Sequence, residues 1–153
     1  MKKHVLLALL LASTVPLAFA NRDRPEELVT ALEQAVSKAA HGDVAGAVRA
    51  INAEARSPKS LKEVAAQEDN FKAAFQKMAG LGESDGVELL SLRYTGDSFL
   101  RLRVVDKRAE GVVLWTFVGY KFKGEWSCKG MTFNGGEDLM QIMHQELDAA
   151  DAK

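Results

Sequence analysis

The hydrophobic pattern changes its period near residue 87, and this change most constrains what the chain can fold into. Before that point, apolar residues recur three and four positions apart, which is typical of one face of a helix. After it they alternate with polar residues, which is typical of strands. The sequence therefore predicts an α+β domain in which the helices come first and the strands follow.

Three helices are predicted before the change of period. The first ends at Gly42, because the position after a helix commonly adopts the left-handed conformation. Asp43 is expected to cap the second helix, which Pro58 ends. Ser60 and Glu63 form an S-x-x-E capping box that opens the third helix.

Short polar turns separate the predicted strands, and turns of this length join only antiparallel neighbours. The predicted strands are Val87–Tyr94, Phe99–Val105, Val112–Phe122 and Glu125–Phe133. Together they predict a curved, four-stranded antiparallel meander. A C-terminal helix is predicted from about Glu137, with its apolar face formed by Leu139, Ile142, Met143 and Leu147.

The first twenty residues have the three parts of a secretory signal peptide. Lys2 and Lys3 give a positive start, Val5–Leu11 is an unbroken apolar run, and Ala18–Ala20 is an A-x-A cleavage site. We expect cleavage after Ala20 and export of residues 21–153 as a single domain, periplasmic or secreted, in a bacterium. The alternative is a membrane anchor, but a spanning helix needs about 20 apolar residues. The stretch that ends at Ala20 is shorter and is interrupted by polar residues.

The strand half resembles the NTF2-like superfamily, in its branch of small exported bacterial proteins of unknown function. The resemblance rests on Phe75–Gly82, Tyr94–Phe99, the pattern Trp115-x-Phe117-x-x-Tyr120, and Trp126 followed by Phe133. It implies a cone in which a bent sheet surrounds a pocket, and Trp115, Phe117 and Trp126 are the candidate pocket-lining residues. The group includes isomerases, dehydratases and non-catalytic binders, so the fold alone does not select a function. This chain departs from the usual order, since no strand is predicted between its second and third helices.

The sequence offers few groups for catalysis. After the leader only His41 and His144 remain, and neither has the spacing of a metal ligand or of a catalytic pair. Asp97 and Asp106 are assigned to turns, which leaves no carboxylate on an apolar strand face to act as a general acid. Cys128 is expected to be a packed thiol. We therefore expect neither a metal nor a cofactor, and a non-catalytic protein. The alternative of a small hydrolase or isomerase with its site inside the cone stays open.

The near-neutral total charge conceals an uneven distribution along the chain. Residues 21–85 carry 9 basic and 11 acidic side chains, residues 86–134 carry 8 and 5, and residues 135–153 carry 1 and 5. The strands are therefore basic and both flanking helical regions are acidic. The acidic total, and the lack of stacking aromatic residues among the basic ones, argue against a nucleic-acid binder.

Two arginines and one lysine are predicted to lie on one face of the sheet. This follows if Asp106 pairs with Gly111 and Phe122 pairs with Glu125, which places Lys129 opposite Val118. The candidate binding residues are Arg101, Arg103 and Lys129. Because arginine binds carboxylates and phosphates through two hydrogen bonds, these residues predict a small anionic ligand or a protein partner. They line an exposed sheet face or, if the sheet bends the other way, the pocket of the cone. A homodimer formed through the sheet is a further expectation.

Overall fold

The computed structural model of the chain describes residues 24–55 and 60–135, together with Gln141 and His144. This part is an α+β fold of three helices and a four-stranded antiparallel sheet with the strand order β1-β2-β3-β4. The sheet is open, with β1 and β4 at its two edges. The elements are α1 (Pro25–Ala40), α2 (Val44–Ala55), α3 (Leu61–Gln76), a 3-10 turn (Ala79–Leu81), β1 (Ser84–Thr95), β2 (Phe99–Arg108), β3 (Gly111–Phe122) and β4 (Glu125–Gly135).

The predicted signals set the helix ends. Gly42 follows α1 with a φ of 89°, in the left-handed region where a side chain is strained. Asp43 precedes α2, and its carboxylate accepts the Gly46 N–H at 2.9 Å. Ser60 and Glu63 form both bonds of the capping box, and α3 is one continuous helix from its first turn to Gln76.

The core lies between one face of the sheet and the apolar faces of α1 and α2. Alternation along the strands decides which residues enter it, because successive side chains point to opposite faces. The core residues of the strands are Leu100, Leu102, Val104, Val113, Trp115, Phe117, Trp126 and Cys128. α3 lies at the rim and buries only Phe71 fully.

The register of the β2–β3 hairpin differs from the prediction by two residues. Asp106 lies opposite Val113, and it is Arg108 that pairs with Gly111. The turn is therefore shorter than expected, and β2 continues three residues beyond Val105. Every side chain nevertheless keeps its predicted face, because a shift of two residues is one full period of the pleat.

The β3–β4 pair contains a bulge that the sequence pattern did not indicate. Phe122 lies opposite Glu125 as predicted, but the register shifts between the pairs Val118–Gly130 and Gly119–Cys128. Lys129 is the extra residue of this bulge, so Gly130 and not Lys129 lies opposite Val118.

The predicted signal peptide at residues 1–20 and the predicted C-terminal helix from Glu137 lie outside the described residues, apart from Gln141 and His144. Within the described ranges, no helix combines the length and the hydropathy needed to cross a membrane.

Candidate functional site

In the part of the chain that the structure describes, the helices pack on one face of the sheet, and the side chains of the other face range from buried at Val112 and Leu114 to exposed at Phe99 and Phe122. We call this second face the outer face, because α1 and α2 pack on the opposite one. Side chains reach it from all four strands. They include Glu88, Leu90, Ser91, Arg93, Thr95, Phe99, Arg101, Arg103, Val105, Lys107, Val112, Leu114, Thr116, Val118, Tyr120, Phe122, Glu125, Thr132 and Asn134.

An aromatic band lies at one end of the outer face, beside the turns that join β1 to β2 and β3 to β4. Phe99 and Tyr120 are direct cross-strand partners, and their ring centroids are 5.0 Å apart. Phe122 stacks on Tyr120 at 6.4 Å. Phe99 is 49% exposed and Phe122 is 59% exposed, although rings of this size are normally covered. The band therefore offers apolar area that the fold itself leaves uncovered.

An arginine band crosses the middle of the outer face. Arg93 on β1 lies directly opposite Arg101 on β2, and Arg103 lies two residues further along β2. On β3 the residues opposite Arg101 and Arg103 are Val118 and Thr116, neither of which is acidic. Like charges that face each other across strands destabilise a sheet by a few tenths of a kcal/mol up to about 1 kcal/mol. Three arginine side chains are close together at this place.

An aliphatic band lies beyond the arginines, toward the other end of the strands. Val112 and Leu114 are buried there, with Leu90 and Val105 packed against them. These four residues form a second apolar cluster that is separate from the core under the helices. Leu90 reaches the cluster because β1 has a register shift between Leu89 and Ser91.

Lys129 does not join the arginine band. As the bulge residue it stands at the edge strand, and its Nζ donates a hydrogen bond to the Ala55 carbonyl oxygen at 3.2 Å. That carbonyl belongs to the last turn of α2, where the helix dipole favours a cation. Of the three predicted binding residues, the structure brings together Arg101 and Arg103 and directs Lys129 to a helix end. Arg93 joins them instead, and its alternation with Tyr94 and Leu92 was the available signal.

Trp115, Phe117 and Trp126, the candidate pocket-lining residues, are packed in the core. The three side chains are buried. The Trp115 ring lies 4.8 Å from the Phe133 ring and 6.2 Å from the Phe117 ring, measured between centroids. These aromatic rings fill the space between the sheet and the helices.

Asp106 was assigned to a turn, and this assignment is wrong. It lies on the core face of β2 and is fully buried. Its Oδ2 accepts a hydrogen bond from Arg108 Nε at 2.8 Å and forms an ion pair with Arg108 Nη2 at 2.7 Å. Its Oδ1 accepts a hydrogen bond from the Ser84 hydroxyl at 2.5 Å. Arg108 also donates to the Gly82 carbonyl oxygen at 3.0 Å and lies over the Phe75 ring. Both carboxylate oxygens are thus bonded, and the cluster ties β1 and β2 to the turn that follows α3.

The other side chains that could react or bind a metal are His41, His144, Cys128 and Tyr94. His41 is exposed, and its Nδ1 is 2.7 Å from the Ser37 carbonyl oxygen, while His144 is also exposed. Burial raises the pKa of the Cys128 thiol to about 11, which leaves it protonated and unreactive near neutral pH. Burial, and then the nearby Glu26 carboxylate, raise the pKa of Tyr94. Among the described residues, no group of three or more His, Cys, Asp or Glu side chains is placed to hold a metal ion.

Two grooves border α3. One of about 410 Å³ lies between α3 and the start of α2, lined by Asp43, Lys72 and Phe75 among others. The other, of about 550 Å³, lies between α3 and β4, with Met131 and Phe133 in its wall. Among the described residues that line them, the ionisable side chains are Asp43 and Lys72 in the first groove and Lys77 in the second. Neither described lining therefore has two carboxylates, or a carboxylate and a histidine, placed for acid–base chemistry.

A comparison of the chain with protein-family models and with curated proteins found no match. The outer face is the described surface that combines charge and exposed apolar area on rigid strands, and it is the candidate functional site.

Proposed function

We propose that this chain is an exported, non-catalytic binding domain that recognises an anionic ligand or partner through the outer face. The observation that carries the proposal is the arginine band of Arg93, Arg101 and Arg103, which lies between the aromatic and the aliphatic band on the face of the sheet opposite α1 and α2. Arginine presents a planar fork of donors that matches carboxylates and phosphates in a bidentate way.

The placement of the arginine band on neighbouring strands supports binding of an anion. Arg93 lies directly opposite Arg101, so a carboxylate or phosphate bound between them would be attracted by both guanidinium groups. Strands are rigid elements, and side chains placed on them are already arranged for the ligand.

We also propose that the described helices and sheet are part of an NTF2-like cone, which a C-terminal helix completes. Helices on one face of a meander support it, as do the aromatic residues Trp115, Phe117 and Trp126 on that face. Because these rings are packed against the helices, we place the binding site on the outer face and not inside the cone. The catalytic alternative lacks support, since the buried carboxylate of Asp106 is bonded on both oxygens.

A charge reversal tests the proposal. The variant Arg101→Glu/Arg103→Glu changes the charge of the arginine band, and the variant Lys38→Glu/Lys62→Glu makes the same total change on exposed helix positions. Binding of residues 21–153 would be measured with poly-glutamate, anionic lipid vesicles and polygalacturonate. We expect at least one probe to bind, with an affinity that falls about tenfold or more in the arginine variant only. If no probe binds, or if both variants weaken binding equally, the proposal is wrong.

The export proposal has its own measurement. The full chain expressed in a bacterium should appear outside the cytoplasm with Asn21 as its first residue, as determined by mass spectrometry of the intact protein. A chain that stays in the cytoplasm with the leader attached would contradict it.

A further inference from the structure

We propose that one end of the sheet docks on the surface of an anionic lipid bilayer. We call it the hairpin end and define it as residues 93–101 and 118–129, which contain the turns that join β1 to β2 and β3 to β4. The proposal rests on the proposed function and specifies that the anion is a lipid headgroup within a membrane. Its basis is that exposed aromatic side chains and positive charge are concentrated at this one end.

Most of the exposed apolar side chains of the described residues lie at the hairpin end. Six large apolar or aromatic side chains are exposed in the described part of the chain, and four of them belong to this end: Tyr94, Phe99, Val118 and Phe122. Phe99 begins β2 directly after one turn, and Phe122 ends β3 directly before the other. Tyr94 pairs with Leu100 and therefore stands on the opposite face of the sheet. Aromatic rings thus surround this end on both faces, as is typical of residues that enter a membrane interface.

Positive charge is concentrated at the same end. Residues 93–101 and 118–129 carry 5 basic and 2 acidic side chains. The opposite end of the sheet, formed by residues 83–88, 105–112 and 131–135, carries 2 basic and 5 acidic side chains. An anionic surface would therefore attract the hairpin end and repel the opposite end.

Cations and aromatic rings are neighbours at the hairpin end. Arg101 and Lys123 are exposed and Lys121 is half-buried. The Lys123 Nζ lies 5.5 Å from the centroid of the exposed Phe122 ring. The acidic side chains at this end are Asp97 and Glu125 of the sheet, together with Glu26 of α1, which lies near Tyr94. The cations outnumber them, and each Lys or Arg beside an anionic leaflet strengthens binding about fivefold.

The length of the strands keeps the acidic end away from the membrane. Phe99 and Arg108 bound β2 and are nine residues apart, which corresponds to about 30 Å at about 3.3 Å per residue. Electrostatic interactions are screened over about 10 Å at about 0.1 M salt. If the strands stand upright on the bilayer, the acidic end therefore lies beyond the reach of the headgroup charge. If the outer face lay flat, both ends would meet the surface, so we infer the upright orientation.

A bilayer explains the hairpin end better than a dissolved polyanion does. Phosphate or uronate polymers would pair with Arg101 and Lys123 but would leave the Phe99 and Phe122 rings in water. A second copy of this chain docked end to end would bring two positive ends together, and like charges would oppose the contact. A bilayer presents anionic headgroups directly above an apolar layer, so it accommodates the cations and the rings at once.

Binding to vesicles tests the inference. Residues 21–153, without the predicted leader, would be floated with vesicles of phosphatidylcholine alone and with vesicles that contain about 30% phosphatidylglycerol. We expect binding to the anionic vesicles only. That binding should weaken when the salt concentration rises to about 0.5 M, because screening shortens the range of the attraction.

Two pairs of matched variants separate the apolar and the charged contributions. Phe99→Ser/Phe122→Ser should weaken vesicle binding about tenfold or more, whereas Leu61→Ser/Leu89→Ser, which alters exposed leucines away from the hairpin end, should not.

The charged pair of variants follows the same design. Arg101→Glu/Lys123→Glu should weaken binding about 25-fold or more, and Lys38→Glu/Lys62→Glu on the helices should have a much smaller effect. Circular dichroism and a thermal melt would establish that every variant is folded.

Two tryptophan reporters test the orientation. Phe122→Trp places an indole at the hairpin end, and Glu110→Trp places one in the turn at the opposite end. The natural Trp115 and Trp126 are buried and give the same background in both. On anionic vesicles that contain brominated lipid, we expect the emission of the Phe122→Trp variant to be quenched and that of the Glu110→Trp variant to stay unchanged.

The outcomes distinguish this inference from the proposed function. Equal binding to neutral and anionic vesicles, an unweakened Phe99→Ser/Phe122→Ser variant, or equal quenching of both reporters would overturn the inference. If no vesicle binds while poly-glutamate or polygalacturonate binds through Arg101 and Arg103, the anion is not a membrane lipid. In that case the inference fails and the proposed function stands.

Discussion

The buried pair of Asp106 and Arg108 supports the sharpest prediction about stability. We would replace Arg108 by Met, which keeps a long unbranched side chain but removes every donor. The change deletes the hydrogen bond and the ion pair with Asp106, the hydrogen bond to the Gly82 carbonyl oxygen and the contact of the guanidinium with the Phe75 ring. It leaves the Asp106 carboxylate fully buried, with Ser84 as the partner that remains among these.

The magnitude follows from burial on both sides of the pair. Asp106 has no exposed surface and the Arg108 side chain is only 8% exposed, so solvent would not compensate the lost partner. Removal of one member of a buried ion pair costs about 3–5 kcal/mol, against a total stability of about 5–15 kcal/mol for a domain of this size. At about 3–5 °C per kcal/mol, the midpoint of thermal unfolding should fall by roughly 10–25 °C.

Urea unfolding followed by circular dichroism would measure the effect. The matched control is Arg49→Met, which breaks the Arg49–Glu68 ion pair at 3.3 Å, where the arginine side chain is 63% exposed. This control should cost less than about 1 kcal/mol. The double variant Asp106→Asn/Arg108→Met removes the uncompensated charge and should recover about 2 kcal/mol of the loss, a coupling that a double-mutant cycle isolates. The reasoning is refuted if Arg108→Met is as mild as Arg49→Met, or if the cycle shows no coupling.

Three further predictions concern single sites. Burial raises the pKa of Cys128 to about 11. Between about pH 9 and pH 11 the folded protein therefore keeps the thiol proton, whereas the unfolded chain has lost it. The free energy of unfolding should decline by about 2–3 kcal/mol over this pH range. Cys128→Ala should not show this decline in pH-dependent urea melts, and an equal decline in both proteins would contradict the assignment. Gly119→Ala should destabilise by about 1–3 kcal/mol in the same melts, because the new Cβ would lie 2.7 Å from Leu100 Cγ; an unchanged midpoint would show that Leu100 moves without cost. Ser60→Ala removes the capping box with Glu63 and should cost about 1 kcal/mol, detectable as faster amide exchange in the first turn of α3.

The local signals in the sequence predict most of the described fold. Helix ends at Gly42 and Ser60 follow from backbone chemistry that depends on single residues, so they are readable without tertiary context. The alternation of polar and apolar residues predicts which side chains of β2 and β3 share a face. This prediction is correct although the predicted register is wrong by two residues, because two residues are one full period of the pleat. This is why Arg101 and Arg103 were found on the outer face although the assumed pairing was wrong.

The parts that were missed depend on contacts between elements. The polar run after Val105 predicts a turn at Asp106, yet the strand continues to Arg108 and its alternation directs the carboxylate into the core. The signal that could have identified it is Arg108, a cation two positions later on the same face. The bulge at Lys129 has no comparable signal, since it depends on how β4 meets the end of α2.

The alternation along β2 has a consequence for how such a protein could diversify. Within one short stretch of chain, the residues that pack in the core and the residues of the proposed binding face occupy alternate positions. The core set is Leu100, Leu102 and Val104, and the outward set is Phe99, Arg101 and Arg103. Substitutions in the outward set should therefore change the charge and shape of the outer face while the melting behaviour stays nearly constant. Natural variation or protein engineering could therefore change the outward residues one at a time, while the core residues between them keep the fold unchanged.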